Sequence, residues 1–201
     1  MYSNSSKRKS NEYLTLSLPL FGITLVVAIL LSLVNFITVD KIASNKLEKI
    51  DNAMISVLPE AKQFEDITAT VLDQWDGETK ILNVQLAKSA NGETIGYCVE
   101  VAPKGYSDVI DMMVGVSAEG EITDTSIIAL SDTPGFGTHK EEKAFKDQFV
   151  GKDGIVVPVN GMAYGHREVA LISGATYSSV GFVEGVNSAL QVYKIIVEEG
   201  A

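Results

Sequence analysis

The sequence is poor in the residues that build cysteine and histidine chemistry: one cysteine, two histidines and one tryptophan in 201 residues. A lone Cys98 excludes an internal disulfide and a cysteine-ligated metal site, and reads as a small core residue. His139 and His166 stand far apart, and neither has a partner at metal-ligand spacing, so surface or hydrogen-bonded roles are expected of both. No convincing hydrolase set remains. Basic residues are also scarce, 16 Lys and Arg against 26 Asp and Glu, for a net charge of -10. Lys7, Arg8 and Lys9 against Glu12 leave residues 1–39 at +2, so the rest of the chain carries -12. That balance excludes nucleic acid as a partner, because phosphate backbones need a basic face. Asp108 and Asp111 read as solvated strand-end charges rather than a catalytic pair. Neither an internal repeat nor a low-complexity linker is seen.

What the sequence has in excess is one apolar run. Leu14 to Val39, "LTLSLPLFGITLVVAILLSLVNFITV", contains no charge, and about 20 apolar residues suffice for a helix to cross the hydrocarbon core. The run exceeds a signal-peptide core, and "TVDKIASNK" after it offers no convincing cleavage site. A retained anchor over 14–39 is expected. Pro19 and Asn35 lie near its ends, where water or headgroups can satisfy polar groups. Lys7 to Lys9 place residues 1–13 in the cytoplasm by the positive-inside rule, and residues 40–201 outside.

Beyond the run, Ile42, Leu47, Ile50, Met54 and Val57 keep helical spacing until Pro59, predicting a short amphipathic helix. Strand-like segments follow, "TKILNVQLAKS", "TIGYCVEVAPKG" and "DVIDMMVGVSAEGEITDTSIIALS", joined at "NGE" and "AEGE" by turns too short for a parallel crossover. "THKEEKAFKDQFVG" reads as a helix stopped by Gly151, and "GIVVPV" and "REVALI" as short strands. From Ser178, the stripe Val180, Val183, Val186, Leu190, Tyr193 and Val197 predicts a last helix. The fold class is α+β, a largely antiparallel sheet with helices on one face.

Two turns carry the candidate chemistry. In "ALISGATYSS", Ser173, Thr176, Ser178 and Ser179 precede the last helix, and hydroxyls there suit an N-cap. A cap needs one or two of them and leaves Gly174 and Ala175 unexplained. Small side chains let a ligand approach the backbone, and a helix N-terminus favours a phosphate. With no Lys or Arg in the turn and no P-loop spacing, an ordinary nucleoside triphosphate is excluded, and a phosphate would hold best if attached covalently. In "SDTPGFGTHK", Pro134, Gly135 and Gly137 make a tight turn that could approach a flat ring, with Phe136 beside it. An ordinary loop with Thr138 as N-cap fits the same residues.

The two turns together resemble a known family. "SGATYSS" is similar to the flavinylation motif of two related FMN-binding subunits, the G subunit of the Rnf complex and the C subunit of the Na+-translocating NADH:quinone oxidoreductase. "SDTPGFG" resembles that family's "ETPGLG" loop, with Asp132 and Phe136 as variants. "MISVLPEAKQF" and "KGYSDVIDMMVGVSAEGEI" extend the resemblance over most of the chain, whose length fits the Rnf member better. The resemblance implies FMN esterified to Thr176 by a flavin transferase, with Ser173, Gly174, Ala175, Tyr177, Ser178, Asp132, Thr133, Pro134, Gly135, Phe136 and Gly137 around it. Ala170 stands where the motif usually has aspartate. Also implied are an electron relay working with other Rnf subunits at the membrane, coupled to ion transport, and no complete turnover by this chain alone. An unflavinylated scaffold remains the alternative from another class.

Overall fold

The structure, a computed structural model, describes residues 5–130 and 139–199, with side chains for 17–39, 41–42, 44–130 and 143–198. The chain divides into two compact units, Met1–Leu47 and Glu48–Ala201. Most of helix α1 (Ser5–Val57) makes up the first. Its apolar stretch is long enough to cross a membrane and leaves Leu18, Phe21, Ile29, Leu33 and Phe36 exposed. Thr24 donates back to the Leu20 and Phe21 carbonyls and Thr38 to that of Val34, at 3.1, 3.0 and 2.7 Å, so these hydroxyls are satisfied within the helix as hydrocarbon demands. The expected span and amphipathic helix are one element, which corrects the sequence reading. Residues 40–57 contain neither glycine nor proline, so nothing stops the helix before Leu58 and Pro59.

The second unit is built on an antiparallel meander of β1 (Gln63–Asp66), β2 (Lys80–Lys88), β3 (Thr94–Ala102), β4 (Ile110–Ser117) and β5 (Ile122–Leu130), in that spatial order. A short helix, α2 (Thr68–Leu72), links β1 to β2. Both β1 and α2 are too brief for an apolar period to reveal them. The two predicted hairpin turns are one design used twice. In "SANGE" and "SAEGE" the serine N–H donates to the last residue's carbonyl, at 2.8 Å in both, and glycine takes φ +82° (Gly92) or +89° (Gly120). After β5 come α3 (His139–Lys146), a parallel pair of β6 (Val157–Val159) and β7 (Glu168–Ala170), and α4 (Thr176–Glu199).

The pattern predicts helices on one face only, and the sheet is covered on both. One core joins Val99, Val101, Met112, Val114 and Val116 to Phe182, Val183, Val186, Ala189 and Leu190 of α4 and to Phe145 and Phe149. On the opposite face Cys98, Met113 and Ile128 meet Ala53, Val57 and Leu58 from the end of α1. The reason lies in β4, whose "IDMMVGV" is buried throughout, the pattern of a strand buried on both faces. For the same reason Asp111, expected to be solvated, is 8% exposed, while Asp108 is exposed.

Candidate functional site

The turn before the last helix starts from β7. Leu171 N–H donates to Val159 O at 3.0 Å, and Ala175 N–H closes a turn onto Ile172 O at 3.1 Å. Gly174, third residue of that turn, has φ +81°, which a type II turn reserves for glycine. A Cβ there would meet nothing within 4 Å, so Gly174 is required by backbone conformation rather than by crowding. Ala175 is 5% exposed and belongs to the main core, so its small size serves packing. Both findings replace the expectation that these two residues are small to admit a ligand.

Helix α4 begins two residues earlier than its stripe indicates. The first helical bond runs from Ser179 N–H to Ala175 O at 2.9 Å, which makes Ala175 the cap. The expected hydroxyl cap is therefore absent, and alanine offers the first-turn N–H groups no side-chain acceptor. Ser178 and Ser179 are buried; Ser173, Thr176 and Tyr177 are exposed. Thr176 opens the helix, and its hydroxyl has no hydrogen-bond partner among the described residues. Thr176 thus presents an exposed hydroxyl at the positive end of a 24-residue helix.

The surroundings of Thr176 are set by how closely α4 approaches the loop between β3 and β4. A Cβ on Gly181 would fall 2.2 Å from Lys104 O, and one on Gly185 2.8 Å from the Pro103 ring. The two glycines do permit close packing, as expected, though against this loop as well as the sheet. The approach brings exposed Tyr106 and Tyr177 together, ring centroids 6.0 Å apart at 50°. Sequence reasoning picks out Tyr177 but assigns no role to Tyr106, because their proximity depends on the docking of α4. Two cavities among the described residues, about 550 Å3 beside Lys104 and Glu184 and about 590 Å3 beside Val57 and Thr123, do not include Thr176 in their walls. Thr176 itself is exposed.

Asp132, Thr133, Pro134, Gly135, Phe136, Gly137 and Thr138 lie outside the described residues. The helix that follows them is placed firmly. Phe145 and Phe149 pack on Phe182 of α4 with centroids 5.3 Å from it and 5.2 Å from each other. Gln148 grips the backbone of Ala170, accepting its N–H at 2.8 Å and donating to its carbonyl at 3.3 Å. No sequence signal marks Gln148. Elsewhere His166 meets Asp153 at 3.2 Å on the surface, and burial pushes the Cys98 thiol up to about 12.

Residues 105–191 match the model of the FMN-binding domain family. The chain is 35% identical to the G subunit of the Na+-translocating ferredoxin:NAD+ oxidoreductase complex of Acetobacterium woodii, over 89% of this chain and 90% of that one. It is 30% identical to the G subunit of the ion-translocating oxidoreductase complex of Methanosarcina acetivorans, over 90% and 94%. The crystal structure of Shewanella oneidensis NqrC superimposes with a TM-score of 0.48 at 17% identity, over 59% of this chain and 61% of that one. With an FMN-binding domain in place and two relatives of this kind aligned nearly end to end, the chain belongs to the family of Rnf complex G subunits.

Proposed function

We propose that this chain is a membrane-anchored electron-transfer subunit of an ion-pumping ferredoxin:NAD+ oxidoreductase, carrying FMN as a phosphoester on Thr176 Oγ. The observation that carries the proposal is Thr176 itself, an exposed hydroxyl without a partner among the described residues, at the start of α4 in a chain with an FMN-binding domain. The residues fit the group. Thr176 supplies the ester oxygen, and the alanine cap itself offers the first turn no competing side-chain acceptor. The N-terminal dipole of α4 favours the phosphodiester charge by roughly 0.3–1 kcal/mol at an exposed site. Tyr106 and Tyr177 present two aromatic faces beside the attachment point.

FMN, when bound, supplies the electron transfer, and the protein fixes its place and tunes its potential. A covalent tether gives the cofactor no dissociated state. That suits a domain on the outer side of the membrane, the location we assign to residues 40–201, with residues 1–13 cytoplasmic and other Rnf subunits as redox neighbours. A flavin transferase supplies the group during maturation.

Intact mass of the chain purified from cells with an active transferase tests the proposal. An addition of one FMN, localised to the Thr176 peptide and abolished in Thr176→Val, is expected. An unmodified mass, with no flavin fluorescence in a denaturing gel, would favour the scaffold reading that Ala170 in place of the motif's aspartate supports.

A further inference from the structure

Ser179, at the end of the acceptor turn's hydroxyl run, makes two hydrogen bonds through one oxygen. Ser179 is fully buried, and its Oγ donates to Ala175 O at 2.9 Å. Back-bonding of this kind is common for a helical serine and by itself means little. Ser188 on the same helix does it too, to Glu184 O at 2.8 Å. What sets Ser179 apart is a second bond. Its Oγ accepts the N–H of Ile172 at 3.2 Å, a backbone group outside the helix and before the turn. One oxygen therefore ties the residue that enters the turn to the residue that caps α4, and Thr176 follows that cap directly.

The consequence is geometric. The segment Ile172 to Ala175 is held by its own turn bond, from Ala175 N–H to Ile172 O, and by Ser179 from beneath. Ser173 and Gly174 are exposed, and nothing lies within 4 Å of where a Gly174 Cβ would be. The cap is alanine, so the side-chain bonds that join the segment before the helix to α4 are those of Ser179. Ser179 touches no part of the surface where FMN would sit, so its effect on Thr176 passes through the backbone.

Resting on the proposal that Thr176 is the FMN acceptor, we infer that Ser179 is the positioning residue that presents Thr176 Oγ to the flavin transferase. In the transfer, Thr176 Oγ bonds to the phosphorus of FAD nearer the flavin and the pyrophosphate P–O bond breaks. AMP leaves with that electron pair, and the hydroxyl proton passes to a base of the transferase. The products are the threonine phosphoester and AMP, and nothing is oxidised. An attacking oxygen must lie within near-attack reach of phosphorus, and displacement by about 1 Å can lower such a rate by about 100-fold.

The test is flavinylation of the full-length chain in detergent by a purified cognate transferase with FAD, read as fluorescent band and AMP released. Ser179→Ala is compared with Ser188→Ala, which removes a buried helical back-bond and leaves the turn alone. The expected result is a fall of about tenfold or more in kcat for Ser179→Ala with little change in KM for the acceptor chain, while Ser188→Ala keeps the wild-type rate. Ser179→Cys, whose thiol retains a weak donor and acceptor, should recover part of the loss; it carries the same test should Ser179→Ala fail to fold. A Ser179→Ala rate within twofold of wild type, or an equal loss in both alanine variants, overturns the inference. If the wild-type chain itself takes up no FMN, Thr176 as acceptor fails first, and the two failures are told apart.

Discussion

The sharpest physical claim about the site is that α4 is held against the β3–β4 loop by a glycine that cannot be anything larger, and Gly181→Ala tests it by sign as well as size. An alanine Cβ would stand 2.2 Å from Lys104 O, where ordinary contact begins near 3.4 Å, so helix and loop must separate by about 1.2 Å. The obstructing atom is backbone. Its loop is pinned by Ile110 N–H to Pro103 O at 2.9 Å and by Gly105 N–H to Asp108 O at 2.8 Å, so it cannot swing aside as a side-chain tip would. Overpacking of a tight contact costs about 1–3 kcal/mol, with the upper half expected for a backbone obstacle. The gain in helix propensity from glycine to alanine offsets about 1 kcal/mol. The net is a loss of about 1–2 kcal/mol, or roughly 2–8 °C in Tm for a domain of this size. Trp75, the one tryptophan, packs against the core and donates to Thr79 O at 2.9 Å, so its emission reports unfolding of the full chain in detergent. A glycine in an unobstructed helix would give the opposite result, a Tm raised by a few degrees. Such a rise would refute the close approach and, with it, the placing of Tyr106 beside Tyr177.

Groups away from Thr176 carry three more predictions. Asn187 of α4 accepts Val156 N–H at 2.7 Å and donates to Val156 O at 3.0 Å, so Asn187→Ala strands a buried backbone pair; a loss of about 1–3 kcal/mol is expected, and an unchanged Tm would show that water replaces the side chain without cost. Cys98 is fully buried with its thiol pushed up to about 12, so the native chain should resist thiol reagents at pH 8 and react only on unfolding; prompt labelling of the folded chain would contradict the buried assignment. Glu168 accepts the N–H groups of Tyr164 and Gly165, both at 3.0 Å, which lowers its pKa below the ordinary 4.5. A depressed carboxylate pKa stabilises the fold above the unfolded value and loses that contribution as pH falls through the folded one, so the Tyr164 and Gly165 amide shifts should titrate with a midpoint below 4.5 and stay flat in Glu168→Gln.

Strands β2 to β5 can be read from the chain because the hairpins that join β2 to β3 and β4 to β5 carry glycine at the left-handed position, and such turns report themselves locally. The parallel pairing of β6 and β7 cannot, since three residues carry no period and the partner is set by the crossover between them. Asp111 escapes a sound rule applied to the wrong sheet. Alternation sends a strand-end acid to solvent when one face is wet, and here both faces of β4 are buried. The start of α4 escapes prediction because four hydroxyls in seven residues promise a cap. Core packing draws Ala175 into the capping position, and Ser179 ties that residue to Ile172 instead of satisfying the first-turn N–H groups. Local propensity gives way to burial, as it commonly does when a small side chain fills a core site. The segment Ser173 to Ser179 stands out as a string of residues; Tyr106 and Gln148 do not, because each acts across a tertiary contact.

Gln148 bears on the one departure from the motif. What it holds at position 170 is the main chain, N–H and carbonyl together, and a backbone grip is indifferent to the side chain that residue carries. An alanine there can keep β7 in place as well as an aspartate could, so Ala170 does not by itself disorganise the turn that follows. Gln148 also lies just beyond α3, next to Phe149 and the phenylalanine cluster with Phe182, while Ala170 stands two residues before Ile172. One amide side chain thus fastens the segment just after α3 to the strand before the Ser173–Ser179 run. The two segments that the sequence singles out separately are flanked by elements whose mutual position is fixed by hydrogen bonds and ring packing, which a site assembled from both would require.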